Sequence, residues 1–252
     1  MPGQIAATPT LSDFCEQINP RVLSEVRQAR RVRPNVERIQ QSWVAGVEKR
    51  VLVALAQRAP EWVTPDQLTV LGLAAQIGAG VGYAMSGAYP LAPLAVIACL
   101  FLNWLGDSLD GTLARTRQQL RPRYGFYVDH MVDSFGSLAL MGGLALSGYM
   151  HPAIAIGLLI GFLMLSIQSY LAAHTVGEFH LSFWKFGPTE LRLLLVAGNL
   201  ALFWKPQVHL LGHVWKLFDV GGAIGIAGMS LMVIFATAQN TARLYREERI
   251  AR

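Results

Sequence analysis

Cysteine is nearly absent: the 252 residues contain two, Cys15 and Cys99. One falls in a polar N-terminal stretch and the other inside an apolar run. No ligand spacing surrounds either, so neither a disulfide framework nor a cysteine metal site is expected. Charge is sparse too, at 15% of residues, while 53% are hydrophobic and mean hydropathy is +0.37. That balance excludes an ordinary soluble domain. No internal repeat and no low-complexity segment occurs, which removes repeat architectures. The first long apolar segment starts near residue 67, too late for a cleaved signal peptide.

What is present is a series of apolar runs at about 67–86, 90–106, 126–148, 152–173, 190–204 and 220–240. Most approach the ~20 residues that cross a bilayer as helix. The expected fold class is therefore an all-α integral membrane protein with six transmembrane helices, preceded by an amphipathic interfacial helix. Nineteen of the 21 Lys and Arg residues lie on one side of this topology, and only Lys205 and Lys216 on the other. By the positive-inside rule both termini are cytoplasmic. The pI near 9.5 then reflects basic residues facing anionic lipid head groups, and no nucleic-acid partner is expected.

Three units are expected along the chain. Residues 1–35 lack apolar periodicity and read as a mobile tail. Residues 36–60 read as the amphipathic helix: Val36, Ile39, Trp43, Val47, Val51 and Leu55 recur at helical spacing, with Arg38, Lys49, Arg50 and Arg58 among them. Such a helix either lies in the interface or packs on the membrane domain. Residues 61–252 form the six-helix domain. It opens with Thr64-Pro65-Asp66, a cap followed by proline at the first helical turn. Trp62, Trp104, Trp184, Trp204 and Trp215 fall near run ends, as an interfacial aromatic belt places them. The glycine-rich stretches 78–82 and 221–225 lie inside apolar runs without strand context, which makes them packing sites rather than phosphate loops. His209 and His213 lack further ligands nearby and read as surface residues.

The chemistry concentrates in Asp107-Ser-Leu-Asp110-Gly111-Thr-Leu-Ala114-Arg115 and Gly125-Phe-Tyr-Val-Asp129-His-Met-Val-Asp133. Asp107 and Asp110 are spaced i,i+3 and Asp129 and Asp133 i,i+4, so each pair shares a helix face. Carboxylates at the edge of a span need compensating positive charge. Two helical ends presenting such pairs to a common point make an oxygen-rich nest for hard divalent cations. Arg115 adds a planar fork for phosphate, and Gly111 lets a ligand come close.

The pattern D-x2-D-G-x2-A-R-x9-G-x3-D-x3-D, from Asp107 to Asp133, resembles the signature of the CDP-alcohol phosphotransferases at every fixed position. The resemblance implies transfer of a substituted phosphate from a CDP-linked donor to an alcohol hydroxyl, with release of CMP. It implies Mg²⁺ or Mn²⁺, two ions, held by Asp107, Asp110, Asp129 and Asp133, with Asp133 at the edge of the shell and acting as general base. Asp66, Gly111, Ala114, Arg115 and Gly125 would meet the CDP donor. Asp66 occupies a position that is commonly Asn in the family. His174, Lys185, Glu190 and Arg192 are the candidates on the acceptor side. The compact chain is similar to the branch that uses CDP-diacylglycerol with a small polar alcohol. Asp129-His130, His174 and Gly187-Pro-Thr-Glu190 resemble the branch that uses CDP-choline or CDP-ethanolamine with diacylglycerol. Relatives also suggest a homodimer. Two other classes use acids in membranes. A cation-coupled transporter favours mid-span acids, and a metal-dependent prenyltransferase has more spans and lacks the A-R-x9-G spacing.

Overall fold

The computed structural model describes residues 37–39, 45–176, 178–180, 188–210 and 212–248. The tail expected over 1–35, Trp184 and Lys185 lie outside these residues. Seven helices dominate the described residues: α1 (Ala45–Arg58), α2 (Pro65–Met85), α3 (Ala92–Thr116), α4 (Pro122–Leu146), α5 (Pro152–Thr175), α6 (Pro188–Ala201) and α7 (Leu217–Glu247). Proline stands at the start of five of them, at 65, 93, 122, 152 and 188, where its missing N–H costs nothing. At α2 the cap is complete. The Gln67 N–H donates to Thr64 Oγ1 at 3.3 Å, and the Thr64 N–H donates to Gln67 Oε1 at 2.8 Å.

The all-α expectation needs a small correction. Strand β1 (Glu37–Ile39) pairs in parallel with β2 (Glu178–His180), and β3 (Gln207–Leu210) pairs with β4 (His213–Lys216) in a hairpin. Gly212, at φ 79°, makes the hairpin's reversal. The interfacial helix expected from residue 36 begins instead at Ala45, because 37–39 take up strand pairing.

Six helices stand where six spans were expected, and four of them (α2, α3, α5 and α7) are long and apolar enough to cross a membrane. Two differ for separate reasons. α4 is 25 residues long, but Arg123, Asp129, His130 and Asp133 fill its N-terminal half. α6 has 14 residues and reaches only ~21 Å, less than the ~30 Å hydrocarbon layer. Large apolar side chains face outward along α7, with Leu231 69%, Ile234 66% and Phe235 67% exposed. Lipid contact is the environment that such a surface fits.

α2 lies between α3 and α4, and glycines bring the three backbones together. A Cβ on Gly106 would stand 2.6 Å from the Leu68 carbonyl oxygen, and one on Gly143 would collide with the Gly80 carbonyl. Small residues allow this closeness in membrane bundles. One buried cluster joins Tyr83, Leu100, Leu144, Met150, Leu202 and Phe218 at the end remote from the aspartates. A second places Leu52 and Ala56 of α1 against Leu68, Leu109 and Leu113. Helix α1 thus seats on α2 and α3 with one face. Val47, Val51 and Leu55, the stripe read from the sequence, point outward instead, 62%, 43% and 38% exposed.

Candidate active site

The aspartates sit on two helices joined by a tight reversal. Asp107 and Asp110 lie near the end of α3, and Asp129 and Asp133 near the start of α4. Gln118, at φ 57°, and a hydrogen bond from the Gln119 N–H to the Ala114 carbonyl close the connection. The Arg117 guanidinium then reaches the carbonyls of Ala59 (3.0 Å) and Pro60 (2.8 Å) as well as those of Glu61 and Val63. This clasps the α1–α2 linker beside the reversal.

Carboxylate oxygens of Asp107, Asp129 and Asp133 lie within 4.8 Å of one another. All four aspartates line one cavity of about 10 Å³, room for a single water-sized sphere. Asp133, expected at the edge of the shell, belongs to the tight group. Asp110 borders the same cavity, but Thr69 Oγ1 donates to its Oδ2 at 2.6 Å, and its own helix engages the other oxygen through the Gly111 N–H. Three ionisable oxygens converging at this range are the hard donor set that Mg²⁺ or Mn²⁺ prefers, so the residues fit a divalent cation.

Positive charge comes from α6. Arg192 Nη2 contacts Asp107 Oδ2 at 2.6 Å, and its Nε donates to Asn103 Oδ1 at 2.8 Å. Asn103 Nδ2 in turn donates to the Gly72 carbonyl at 3.0 Å and to Gln76 Oε1 at 3.3 Å. Thr69 and Asn103 were not among the residues singled out from the sequence. The signal for Asn103 was present: a buried amide in an apolar run, one turn before Asp107.

The other residues divide by position. Arg115 is exposed at the end of α3 with Nη2 3.2 Å from Thr112 Oγ1, and Gly111 lies beneath its guanidinium. Ala114 is buried. Gly125 lies in the first turn of α4, with open space where a Cβ would be. Asp66 pairs with Arg121, whose guanidinium lies 4.2 Å above the Tyr124 ring. These two charges line an open pocket with Thr64 and Gln119. His174, in the last turn of α5, and Glu190, in the first turn of α6, do not line the aspartate cavity. Beside Asp129, the His130 ring stacks on Tyr170 at 4.7 Å with Phe126 edge-on.

The model of the CDP-alcohol phosphatidyltransferase family matches residues 62–237. The chain belongs to this family. It is a transferase of phosphate-containing groups that serves phospholipid synthesis from a CDP-linked donor, and it is embedded in a membrane. No curated protein sequence gives a significant match. Among solved structures, the fold is similar to Mycobacterium tuberculosis phosphatidylinositol phosphate synthase with CDP-DAG bound. The two share 16% identity at a TM-score of 0.53, over 82% of this chain and 100% of that one.

Proposed function

We propose that this chain transfers a phosphatidyl group from CDP-diacylglycerol to the hydroxyl of a small polar alcohol and releases CMP. The convergence of Asp107, Asp129 and Asp133 around one cavity carries this reading. The donor choice draws on the compact chain and on a structural neighbour whose bound ligand is CDP-DAG. Asp107, Asp110 and Asp129 would be the principal holders of a divalent cation, and Asp133, in the same cavity, keeps an oxygen for the acceptor. A cation held there would neutralise diphosphate charge and polarise the phosphorus under attack. Arg115 receives a phosphate of the donor with its planar fork. Gly111 and Ala114 keep the groove shallow, and Asp66 and Gly125 border the nucleotide side.

Asp133 takes the proton from the acceptor hydroxyl as its oxygen bonds to the lipid-bearing phosphorus. The bond from that phosphorus to the CMP oxygen breaks, and CMP leaves. Arg192 faces the acceptor, with Lys185, His174 and Glu190 as further candidates on that side. Positioning and charge compensation supply most of the acceleration in such a transfer. The enzyme works as a six-span homodimer with both termini and the site at the cytoplasmic face.

The deciding experiment is mass spectrometry of lipids made by purified enzyme. It receives Mg²⁺ and either CDP-diacylglycerol or CDP-choline and CDP-ethanolamine, each with a panel of acceptors. Products are expected only with CDP-diacylglycerol. Phosphatidylcholine or phosphatidylethanolamine formed from diacylglycerol would move the chain to the aminoalcohol branch.

A further inference from the structure

Glu48 was not singled out from the sequence, yet one of its oxygens collects three donors from two other helices. Oε1 accepts from Trp104 Nε1 at 2.7 Å, Thr189 Oγ1 at 2.9 Å and Ser108 Oγ at 3.3 Å. Trp104 and Ser108 lie one helical turn apart on α3 and bracket Asp107 in sequence. Thr189 lies in the first turn of α6, three residues before Arg192. We propose that Glu48 is a positioning residue. Its carboxylate latches the first turn of α6 onto α3 and so sets where Arg192 stands beside Asp107. The inference rests on the reading that Arg192 faces the acceptor.

The attachment of α6 gives such a latch a role. This short helix packs chiefly against α3, and Leu191, Leu193 and Leu194 point outward, 43%, 53% and 59% exposed. Its far end is held independently: Asn199 Nδ2 donates to the Tyr83 hydroxyl at 2.7 Å, and Leu202 joins Phe218 in the main cluster. Polar ties at its near end include Glu48 to Thr189 and Arg192 to Asp107 and Asn103. A negative group at the first turn also meets the positive end of the helix dipole. A bland role, seating α1, is already served by buried Leu52 and Ala56 and by the Arg117 clasp on the linker. Removing the carboxylate therefore frees the start of α6 while α1 stays in place.

The test uses full-length enzyme in lipid nanodiscs as wild type, Glu48→Ala, Glu48→Gln and Thr189→Val. Hydrogen exchange is expected to rise about tenfold in the 189–196 amides of Glu48→Ala and Thr189→Val. It should stay unchanged at 197–201 and in α1. Glu48→Gln keeps an acceptor oxygen and is expected to restore wild-type protection. CMP release from CDP-diacylglycerol is then followed with glycerol 3-phosphate and with glycerol as acceptor probes. The Glu48→Ala acceptor KM is expected to rise about fivefold or more, with kcat and donor KM within about twofold. Unchanged 189–196 exchange, a failed glutamine rescue, or equal rises in donor and acceptor KM would each overturn the latch. Exchange needs no turnover. If wild type uses neither probe, the exchange arm alone decides the latch, and the functional reading fails separately only when the whole acceptor panel gives no product from CDP-diacylglycerol.

Discussion

At the scale of single residues, the site is a problem of charge compensation in a medium that tolerates little charge. A carboxylate at the centre of a membrane helix costs about 2.5–3.5 kcal/mol on insertion scales. The protein offsets this with specific partners: Arg192 on Asp107 and the Thr69 hydroxyl on Asp110. Asp133 lies with Asp107 and Asp129 in the cavity, so its role depends on charge and not on bulk. Asp133→Asn preserves volume and removes the base. Turnover is expected to fall at least about a hundredfold, with CDP affinity in Mg²⁺ within about twofold. Calorimetric CDP titration beside a CMP-release assay checks both halves, and wild-type turnover would end the base assignment. The motif aspartates were legible because their spacing repeats a helical face. Asn103 and Thr69, lone polar residues in apolar runs, and Glu48, one charge beside Lys49 and Arg50, were harder to see, since none has a periodicity to mark its partner.

Among the elements, the decisive contacts are glycine-mediated. The helices carrying the acids are aligned by α2, and that alignment needs bare backbone at Gly80, Gly106 and Gly143. A methyl at Gly143 collides with the Gly80 carbonyl, whereas Gly142 has nothing within 4 Å of a Cβ. Gly143→Ala is therefore expected to cost about 1–3 kcal/mol, the usual range for overpacking. At about 2–4 °C per kcal/mol for a chain of this size, the unfolding midpoint should drop by several degrees. Gly142→Ala should leave it level or raise it. Scanning fluorimetry on the two variants compares them directly, and equal midpoints would refute the close-packing account. The apolar runs located all six helices, but α3 extends ten residues past its run, to Thr116, and α7 seven, to Glu247. In α1 the apolar stripe at 47, 51 and 55 faces outward, as an interfacial helix would have it, while Leu52 and Ala56 make the seat. Two apolar faces on one helix leave the choice of partner to the surrounding surface.

For the whole molecule, the lopsided distribution of Lys and Arg sets the expected sidedness. In a background lacking Cys15 and Cys99, His209→Cys should react with a membrane-impermeant maleimide in intact cells. Glu247→Cys should react only after permeabilisation. The reverse pattern would invert the topology and move the aspartates away from the nucleotide pool.

Membrane embedding, the six apolar helices and the acid motif with its family were all determined by the sequence alone. Hydropathy and helical spacing are local properties, readable over a few turns. Only the tertiary structure decided which three carboxylates converge, that Arg192 and Asn103 back them, and that Glu48 gathers donors from two other helices. The Arg192 and Glu48 contacts join residues 56 to 141 positions apart. Which side chains meet across such separations depends on how glycine-lined helices approach and rotate, and no local pattern encodes that.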